Sequence, residues 1–141
     1  LKEIEIPLKK AGVIREELVK KGLKFIRREH RGEKIYYLVN HTSKKIDEFV
    51  SLAIPSKEVL ILDPLNGKTG KAITEHQTGI TKVKLSLPSG SSLFLITFDR
   101  INAPKWDYYK PLKNSYKILG DWDFKLIKGG PNIDFSKKTN R

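Results

Sequence analysis

The chain lacks cysteine entirely, which excludes several classes of protein. Without cysteine there are no disulfides, no zinc–thiolate centres and no thiol nucleophile. Histidine is scarce as well: the 141 residues contain three, His30, His41 and His76, and each is predicted in or next to a turn. Since no two of them stand at the spacing that metal ligands require, the sequence predicts neither a metal site nor a cofactor.

Long apolar runs, methionine and a signal peptide are also missing from the sequence. No apolar run approaches the ~18 residues that a membrane-spanning helix needs, so no membrane association is expected. The first residues are charged and do not resemble a signal peptide. Because the chain begins at Leu1 and contains no methionine, we expect it to be a piece of a longer polypeptide.

Acidic residues are outnumbered by basic ones. Lysine and arginine total 28 against 16 aspartates and glutamates, which gives a net charge of +12. Such a balance invites a nucleic-acid interpretation. The excess is spread along the chain, however, and does not concentrate in one stretch. A solvated, lysine-rich surface is therefore favoured over a phosphate-binding face.

The strongest pattern in the sequence predicts a series of short strands between residues 35 and 98. Apolar runs at 35–40, 46–54, 59–64, 81–87 and 92–98 are separated by turn sequences, among them Asn66-Gly67 and Pro88-Ser89-Gly90. An asparagine–glycine pair, or a proline followed closely by a glycine, is typical of a tight turn. Residues 23–30 precede the series and are predicted to form a hairpin with 34–40 through a glycine-containing turn.

The patterns within these strands predict an antiparallel β-sandwich. Val83, Leu85 and Leu87 alternate with polar residues, which is typical of a half-buried strand. The strand at 34–40 is apolar on both faces and is expected in the middle of a sheet. The fold class is therefore predicted as mainly β, an antiparallel sandwich over 23–100 with a short helical segment before it.

The flanking segments have their own signatures. Residues 1–22 are predicted as a helical connecting segment, with a short helix over 15–21 that ends at Gly22 and with Pro7 and Gly12 interrupting anything longer. Residues 101–133 are predicted as a linker and a β-hairpin, either part of this domain or the start of the next one. The hairpin is expected from 116–119 and 122–127, and residues 134–141 from their polarity as a flexible tail.

Catalytic constellations are not apparent. Five aspartates are candidates for glycosidic acid–base chemistry: Asp63, Asp99, Asp107, Asp121 and Asp123. Each has a simpler structural role in a turn or at a strand end. The sequence has no nucleophile elbow and no phosphate-binding glycine loop. No catalytic residue is predicted.

Two features are candidates for contact with sugars. Asn40-His41-Thr42 matches the N-glycosylation pattern and also reads as a turn. The aromatic side chains of Trp106, Tyr108, Tyr109 and Trp122, with Tyr116 between them, are the candidate carbohydrate-binding residues, since flat aromatic rings stack on sugars. Aromatic residues beside a β domain more often serve a core or an interface.

The motifs occur in an order that resembles a known family. The sequences KFIRREH at 24–30, IYYLVNHT at 35–42, LILDPLNGK at 60–68 and VKLSLPSGSSLF at 83–94 resemble the region after the catalytic part of bacterial α-L-rhamnosidase-type glycoside hydrolases of family 106. Ile61-Leu62 stands where the family usually has an aromatic residue before Asp-Pro. Residues 119–131 look like the opening strands of the sugar-binding jelly-roll domain that follows.

The resemblance implies a non-catalytic role. In such enzymes the catalytic carboxylates and the metal-binding residues belong to a preceding barrel domain, so none is carried over to this chain. Asn40 and the turn at 63–67 are implied to be structural. The chain is then an accessory sandwich that supports the catalytic domain of the same polypeptide, in a periplasmic or extracellular enzyme acting on plant or bacterial polysaccharide.

Two alternatives remain open from the sequence. One is a stand-alone carbohydrate-binding module that uses the aromatic residues at 106–122. The other is a basic nucleic-acid-binding β domain, suggested by the net charge and by Arg27, Arg28 and Arg31. Nucleic acid is not predicted as the partner, because the sequence lacks a strand that combines exposed basic and aromatic residues.

Overall fold

Strands dominate the computed structural model, which describes residues 2–109, 114–117, 119–125 and 136–140. Helix α1 spans Lys2–Lys10 and a 3₁₀ helix spans Leu18–Lys21. The strands are β1 (Leu23–His30), β2 (Glu33–Asn40), β3 (Phe49–Leu52), β4 (Glu58–Leu62), β5 (Thr69–Lys71), β6 (Thr74–Gln77), β7 (Ile80–Lys84), β8 (Ser92–Phe98), β9 (Asp121–Lys125) and β10 (Ser136–Asn140). No helix in the described part of the chain is long and apolar enough to cross a membrane.

The larger sheet contains five antiparallel strands in the order β1-β2-β8-β4-β5. Its first two strands form the predicted hairpin, with Leu23 opposite Asn40 and His30 opposite Glu33. Arg31 and Gly32 make the turn with φ angles of 51° and 90°. Two positive φ angles in succession define the turn whose twist matches that of paired strands.

A smaller antiparallel sheet with the order β3-β7-β6 provides the second layer of the sandwich. Alternate side chains of both sheets point into the core. The buried positions include Tyr36 and Leu38 on β2, Leu93 and Leu95 on β8, and Val83, Leu85 and Leu87 on and after β7. The predicted fold class is confirmed: the chain is mainly β, an antiparallel β-sandwich with one short N-terminal helix.

Two strand predictions inside the sandwich need correction. The turn at Asn66-Gly67 predicts that 71–75 returns as one strand. The structure has two strands there, because the chain leaves the larger sheet after Lys71 and enters the smaller one at Thr74, with Ala72 buried at the crossing. The strand predicted over 46–54 is limited to Phe49–Leu52, and Ile46 makes a separate bridge to Leu87. The uneven alternation of 46–54 indicates a bulge or an edge strand, and β3 does lie at an edge of its sheet.

The N-terminal segment also differs from its prediction. Helix α1 passes through Pro7, which was expected to interrupt it, and continues for three more residues. The helix predicted over 15–21 is a four-residue 3₁₀ turn that ends, as expected, at a left-handed Gly22. Tertiary contacts explain why the second helix is short, since Glu16 and Leu18 direct their side chains into the sandwich.

The chain divides into two compact units, Leu1–Tyr109 and Lys110–Arg141. In the second unit, β9 pairs in antiparallel register with β10, so that Asp121 lies opposite Asn140. The segment predicted as a flexible tail, 134–141, therefore contains strand β10. The sequence predicted that 122–127 pairs with 116–119, whereas β9 pairs with β10. The residues of β10 are polar, so the sequence shows no apolar alternation that would predict a strand. The pairing with β9 depends on backbone hydrogen bonds, which any residue except proline can make. Positions 118 and 126–127 of the predicted hairpin lie outside the described residues.

Candidate functional site

The Asn40-His41-Thr42 motif lies at the centre of a buried hydrogen-bond cluster. Asn40 has no exposed surface. Its amide nitrogen donates to the carbonyl oxygens of Lys44 at 2.8 Å, Leu87 at 3.0 Å and Pro88 at 3.1 Å. Its backbone N–H also donates to the carbonyl of Ser91. One side chain therefore joins the loop after β2 to the turn before β8.

Thr42 completes the same cluster. Its backbone N–H and its hydroxyl both donate to Oδ1 of Asn40, at 3.0 Å and 2.7 Å. All the polar atoms of the asparagine side chain are thereby engaged within the protein. Glycosylation requires an accessible asparagine side chain on a surface loop. The geometry assigns this motif to the framework of the sandwich.

The Asp-Pro-Leu-Asn-Gly sequence at 63–67 is likewise a self-contained turn. Asp63 accepts hydrogen bonds from the backbone N–H of Leu65 and from the side chain of Asn66, both at 2.9 Å. Gly67 adopts a left-handed φ of 70°. Since both carboxylate oxygens are engaged by the turn, Asp63 stabilises the connection between β4 and β5.

Among the predicted sugar-binding aromatics, Trp106 and Tyr108 belong to the sandwich itself. Both are partly buried and pack against the core. The backbone N–H of Trp106 donates to Lys71 at 2.9 Å, which adds the segment around it to the edge of β5. The Tyr108 hydroxyl donates to the carbonyl of Lys84 at 2.9 Å and accepts from the N–H of Ile73 at 3.1 Å.

Close backbone packing holds this aromatic segment against the sheet. A Cβ atom at Gly70 would lie 2.6 Å from the Cα of Trp106 and 2.8 Å from its nitrogen. Real Cβ atoms do not approach backbone this closely, so the site accepts glycine alone without rearrangement. Gly70 thus allows the backbone of the Trp106 segment to lie directly against β5.

Tyr109 and Trp122 have different surroundings. The Tyr109 ring is 71% exposed, and the ammonium of Lys68 lies 5.9 Å from its centre. Trp122 lies in β9 of the second unit, and its side chain is outside the described residues. The structure thus does not assemble Trp106, Tyr108 and Tyr109 into one exposed platform, because the first two are directed into the protein.

The candidate carboxylates and histidines of the first unit are not gathered into a metal-binding group. In the described ranges, no three histidine, aspartate or glutamate side chains are placed to hold one ion. Asp99 is exposed and pairs with Lys57 at 3.7 Å, and Asp107 is exposed as well. The side chains of Asp121 and Asp123 lie outside the described residues.

Glu16, whose side chain is 9% exposed, is a largely buried carboxylate that sequence analysis did not identify. It accepts hydrogen bonds from the Tyr36 hydroxyl at 2.7 Å, from Arg27 at 2.9 Å and from the N–H of Ala53 at 3.0 Å. Burial, followed by the hydrogen bond to Glu16, raises the pKa of Tyr36 well above its usual range. This cluster fastens the segment before β1 to the inner side of the larger sheet.

The three arginines that suggested nucleic-acid binding do not share a face. Arg27 and Arg28 are successive residues of β1 and therefore point to opposite sides of the sheet. Arg27 pairs with Glu16, and Arg31 occupies the hairpin turn. Phosphate binding by these three residues together would require a common surface.

Two open clefts of about 420 Å³ each lie on the first unit. One has Arg28, Lys34 and Glu29 beside Ile14 and Ile54. The other has His76, Asp99 and Lys57 beside Ile80. Both clefts combine charges of opposite sign, and neither contains a buried titratable pair of the kind that acid–base catalysis uses.

Comparison of the chain with protein-family models, with curated proteins and with solved structures finds no match.

Proposed function

We propose that the chain is a non-catalytic accessory β-sandwich of a larger glycoside hydrolase of the α-L-rhamnosidase type. In this proposal it supports the catalytic domain of the same polypeptide, and the enzyme acts outside the cytoplasm on plant or bacterial polysaccharide. The ordered motifs from residue 24 to residue 94 support the choice of family.

The observation that carries the proposal is that the motif residues hold the sandwich together. Asn40 and Asp63 direct their polar atoms into their own turns, where they join strands of the sandwich. Asn40 has no exposed surface and is not available to a substrate. Motifs that build a framework are what an accessory domain requires, since the chemistry is performed elsewhere.

The test is an activity measurement on the purified chain with an aryl α-L-rhamnoside. We expect no turnover above that of heat-denatured chain, and turnover by the longer polypeptide that contains it. Hydrolysis by the chain alone, lost on Asp63→Asn or Asp99→Asn, would overturn the proposal. A reading frame without a catalytic barrel before this segment would do the same.

The carbohydrate-binding alternative is separated from the proposal by a glycan array. Exposed Tyr109 beside Lys68 is the feature that favours it. Tyr109→Ala tests that residue, and Val19→Ala is the control, because Val19 is 62% exposed on the same unit and is not one of the candidate aromatics. Binding that is lost with the first variant and kept with the second would assign the chain to a binding module instead.

A further inference from the structure

The turn between β4 and β5 contains the only asparagine–glycine pair of the sequence, Asn66-Gly67. Both residues are exposed. Asparagine is a thermally labile residue, because the backbone nitrogen of the next residue can attack its side-chain amide. A side chain on that next residue shields the nitrogen, and glycine has none. No atom lies within 4 Å of the place where a Cβ of Gly67 would stand, so the nitrogen is open to solvent on that side.

The reaction available to this pair is deamidation through a cyclic imide. The Gly67 nitrogen loses its proton to solvent and forms a bond to Cγ of Asn66. The bond between Cγ and the side-chain nitrogen then breaks, and that nitrogen takes a proton from solvent and leaves as ammonia. Water opens the ring at either carbonyl carbon. The net change converts asparagine and water into aspartate or isoaspartate and ammonia, so water is the single co-reactant.

Hydrogen bonds of the folded turn oppose this reaction. The N–H of Gly67 donates to the carbonyl oxygen of Asp63 at 2.9 Å. The side-chain oxygen of Asn66 accepts from the N–H of Lys68 at 2.9 Å, and its nitrogen donates to Oδ2 of Asp63 at 2.9 Å. The attacking nitrogen and the attacked amide are therefore held by separate partners. They can react when the turn opens and these contacts break.

Solvent reaches the whole turn, which allows it to open. Residues 64–69 are exposed, and Asp63 is half-buried. Exposed hydrogen bonds compete with water, and exposed turns open more often than core strands do. Asn40 is the opposite case, since it has no exposed surface and its amide donates to carbonyls on both sides of the sandwich loop. The rate at Asn66 should thus follow the fraction of time during which the turn is open.

We propose that Asn66 is a site of spontaneous deamidation, and that Asp63 sets the rate by holding the turn closed. The carboxylate of Asp63 accepts from the N–H of Leu65 and from the Asn66 amide, and its carbonyl accepts from Gly67. Three hydrogen bonds of the turn therefore end on this one residue. Asp63 is a positioning residue, which takes part in no bond that forms or breaks. The proposal is independent of the proposed function, because it uses this turn alone.

Deamidation should loosen β5. The new carboxylate would face the carboxylate of Asp63 where an amide donor stood before, and like charges repel. Isoaspartate also lengthens the main chain by one carbon, which displaces the N–H of Gly67 from its acceptor. Strand β5 has three residues, Thr69–Lys71, to pair with β4. Since Gly70 lies against the Trp106 backbone, the change extends to the aromatic segment on this edge.

The experiment follows deamidation of the purified chain during incubation at mildly alkaline pH and physiological temperature. Trypsin cleavage after Lys57 and Lys68 releases the peptide 58–68, which contains Asn66. Mass spectrometry measures the replacement of the amide by a carboxyl group, and electron-transfer fragmentation distinguishes isoaspartate. A sample taken before incubation measures any conversion during digestion. Asn40 and Asn114 are internal comparisons, because Asn40 is buried and Asn114 is exposed but followed by serine.

We expect Asn66 to convert before Asn114, and Asn40 to stay intact while the chain is folded. Asp63→Ala removes two exposed hydrogen bonds and should raise the rate at Asn66 roughly fivefold, the equivalent of about 1 kcal/mol in the opening of the turn. Asp99→Ala is the matched control and should leave the rate unchanged. It removes the same charge from an exposed site beyond Phe98, which pairs with the other end of β4. In urea, where the turn contacts are absent, all three chains should react alike.

An Asn66 that stays intact, or that reacts more slowly than Asn114, would overturn the site. A rate that Asp63→Ala leaves unchanged or lowers would overturn the role of Asp63, as would a fivefold effect that persists in urea. Circular dichroism establishes that the variant is folded. Should it not fold, Asp63→Asn replaces it: an acceptor for Leu65 remains, the bond to Asn66 is lost, and the expected rise is roughly twofold.

The consequence for β5 is measured on the modified chain after its separation by ion exchange. Amide hydrogens in peptides that cover β5 should exchange faster than in the unmodified chain, and those of β1 and β2 should exchange at the same rate. Equal exchange at β5 would show that deamidation stays confined to the turn, and it would overturn the predicted loosening.

Discussion

Replacement of Asn40 by alanine should destabilise the sandwich more than most single substitutions. The amide and its oxygen make hydrogen bonds to three carbonyls and to two donors of Thr42. Two N–H hydrogens serve three carbonyls, so the side chain makes the equivalent of four bonds. Each buried bond is worth about 1 kcal/mol, and Asn40→Ala is therefore expected to lower the free energy of unfolding by about 4 kcal/mol.

The measurement is urea unfolding followed by circular dichroism at neutral pH. For a chain of this length, the expected loss corresponds to a fall of roughly 12 °C in the midpoint of thermal unfolding. Asn66→Ala is the matched control, because its amide is exposed in the turn after β4. Its hydrogen bonds compete with water, and the variant should lose about 0.5 kcal/mol.

A loss below about 1 kcal/mol for Asn40→Ala would refute the reasoning, since the carbonyls would then find other partners at little cost. Asn40→Asp provides an independent check. At neutral pH a carboxylate would face three carbonyl oxygens, which raises its pKa above the unfolded value. The deficit of this variant relative to Asn40→Ala should shrink as the pH falls and the carboxyl regains a donor; an unchanged deficit would contradict the assigned contacts.

Three further predictions address other parts of the fold. Gly70→Ala should cost about 2 kcal/mol and shift tryptophan fluorescence, because the added methyl group displaces the Trp106 backbone. Burial raises the pKa of both Tyr36 and Tyr108. The unfolded state therefore releases their protons first, and the free energy of unfolding should fall as the pH rises above about 10, with a smaller slope in Tyr36→Phe. Glu16→Gln should lower the free energy of unfolding, measured in urea, by about 2 kcal/mol. The substitution removes the negative charge that accepts hydrogen bonds from Arg27 and from the buried Tyr36 hydroxyl.

The features of the fold that residues close together in the sequence determine were predictable. The hairpin of β1 and β2 has both strands and its turn within residues 23–40, so that alternation and a glycine suffice to define it. Val83, Leu85 and Leu87 are buried as their alternation predicts. The left-handed Gly22 and Gly67 also follow from local rules, because a left-handed φ favours glycine.

Contacts between distant segments were not predictable from the same patterns. Glu16 stands in a short polar run with the composition of an exposed helix, and nothing nearby in the sequence indicates that Tyr36 and Ala53 will surround it. Gly70 is an ordinary glycine until the backbone of Trp106 is placed against it. Both sites form between segments that are about 20 to 40 residues apart in the sequence, so no local pattern indicates them.

The apolar strands at 35–40 and 92–98 show how a correct pattern can lead to an incomplete conclusion. A strand that is apolar on both sides is expected to be covered on both sides. The sandwich covers Tyr36, Leu38, Leu93 and Leu95, and it leaves the alternate residues of the same strands in contact with solvent. Burial on one side accounts for half of the apolar pattern. The other half stays at the surface, where side chains on neighbouring strands shield one another in part, as the 4.9 Å between the ring centres of Tyr37 and Phe94 shows.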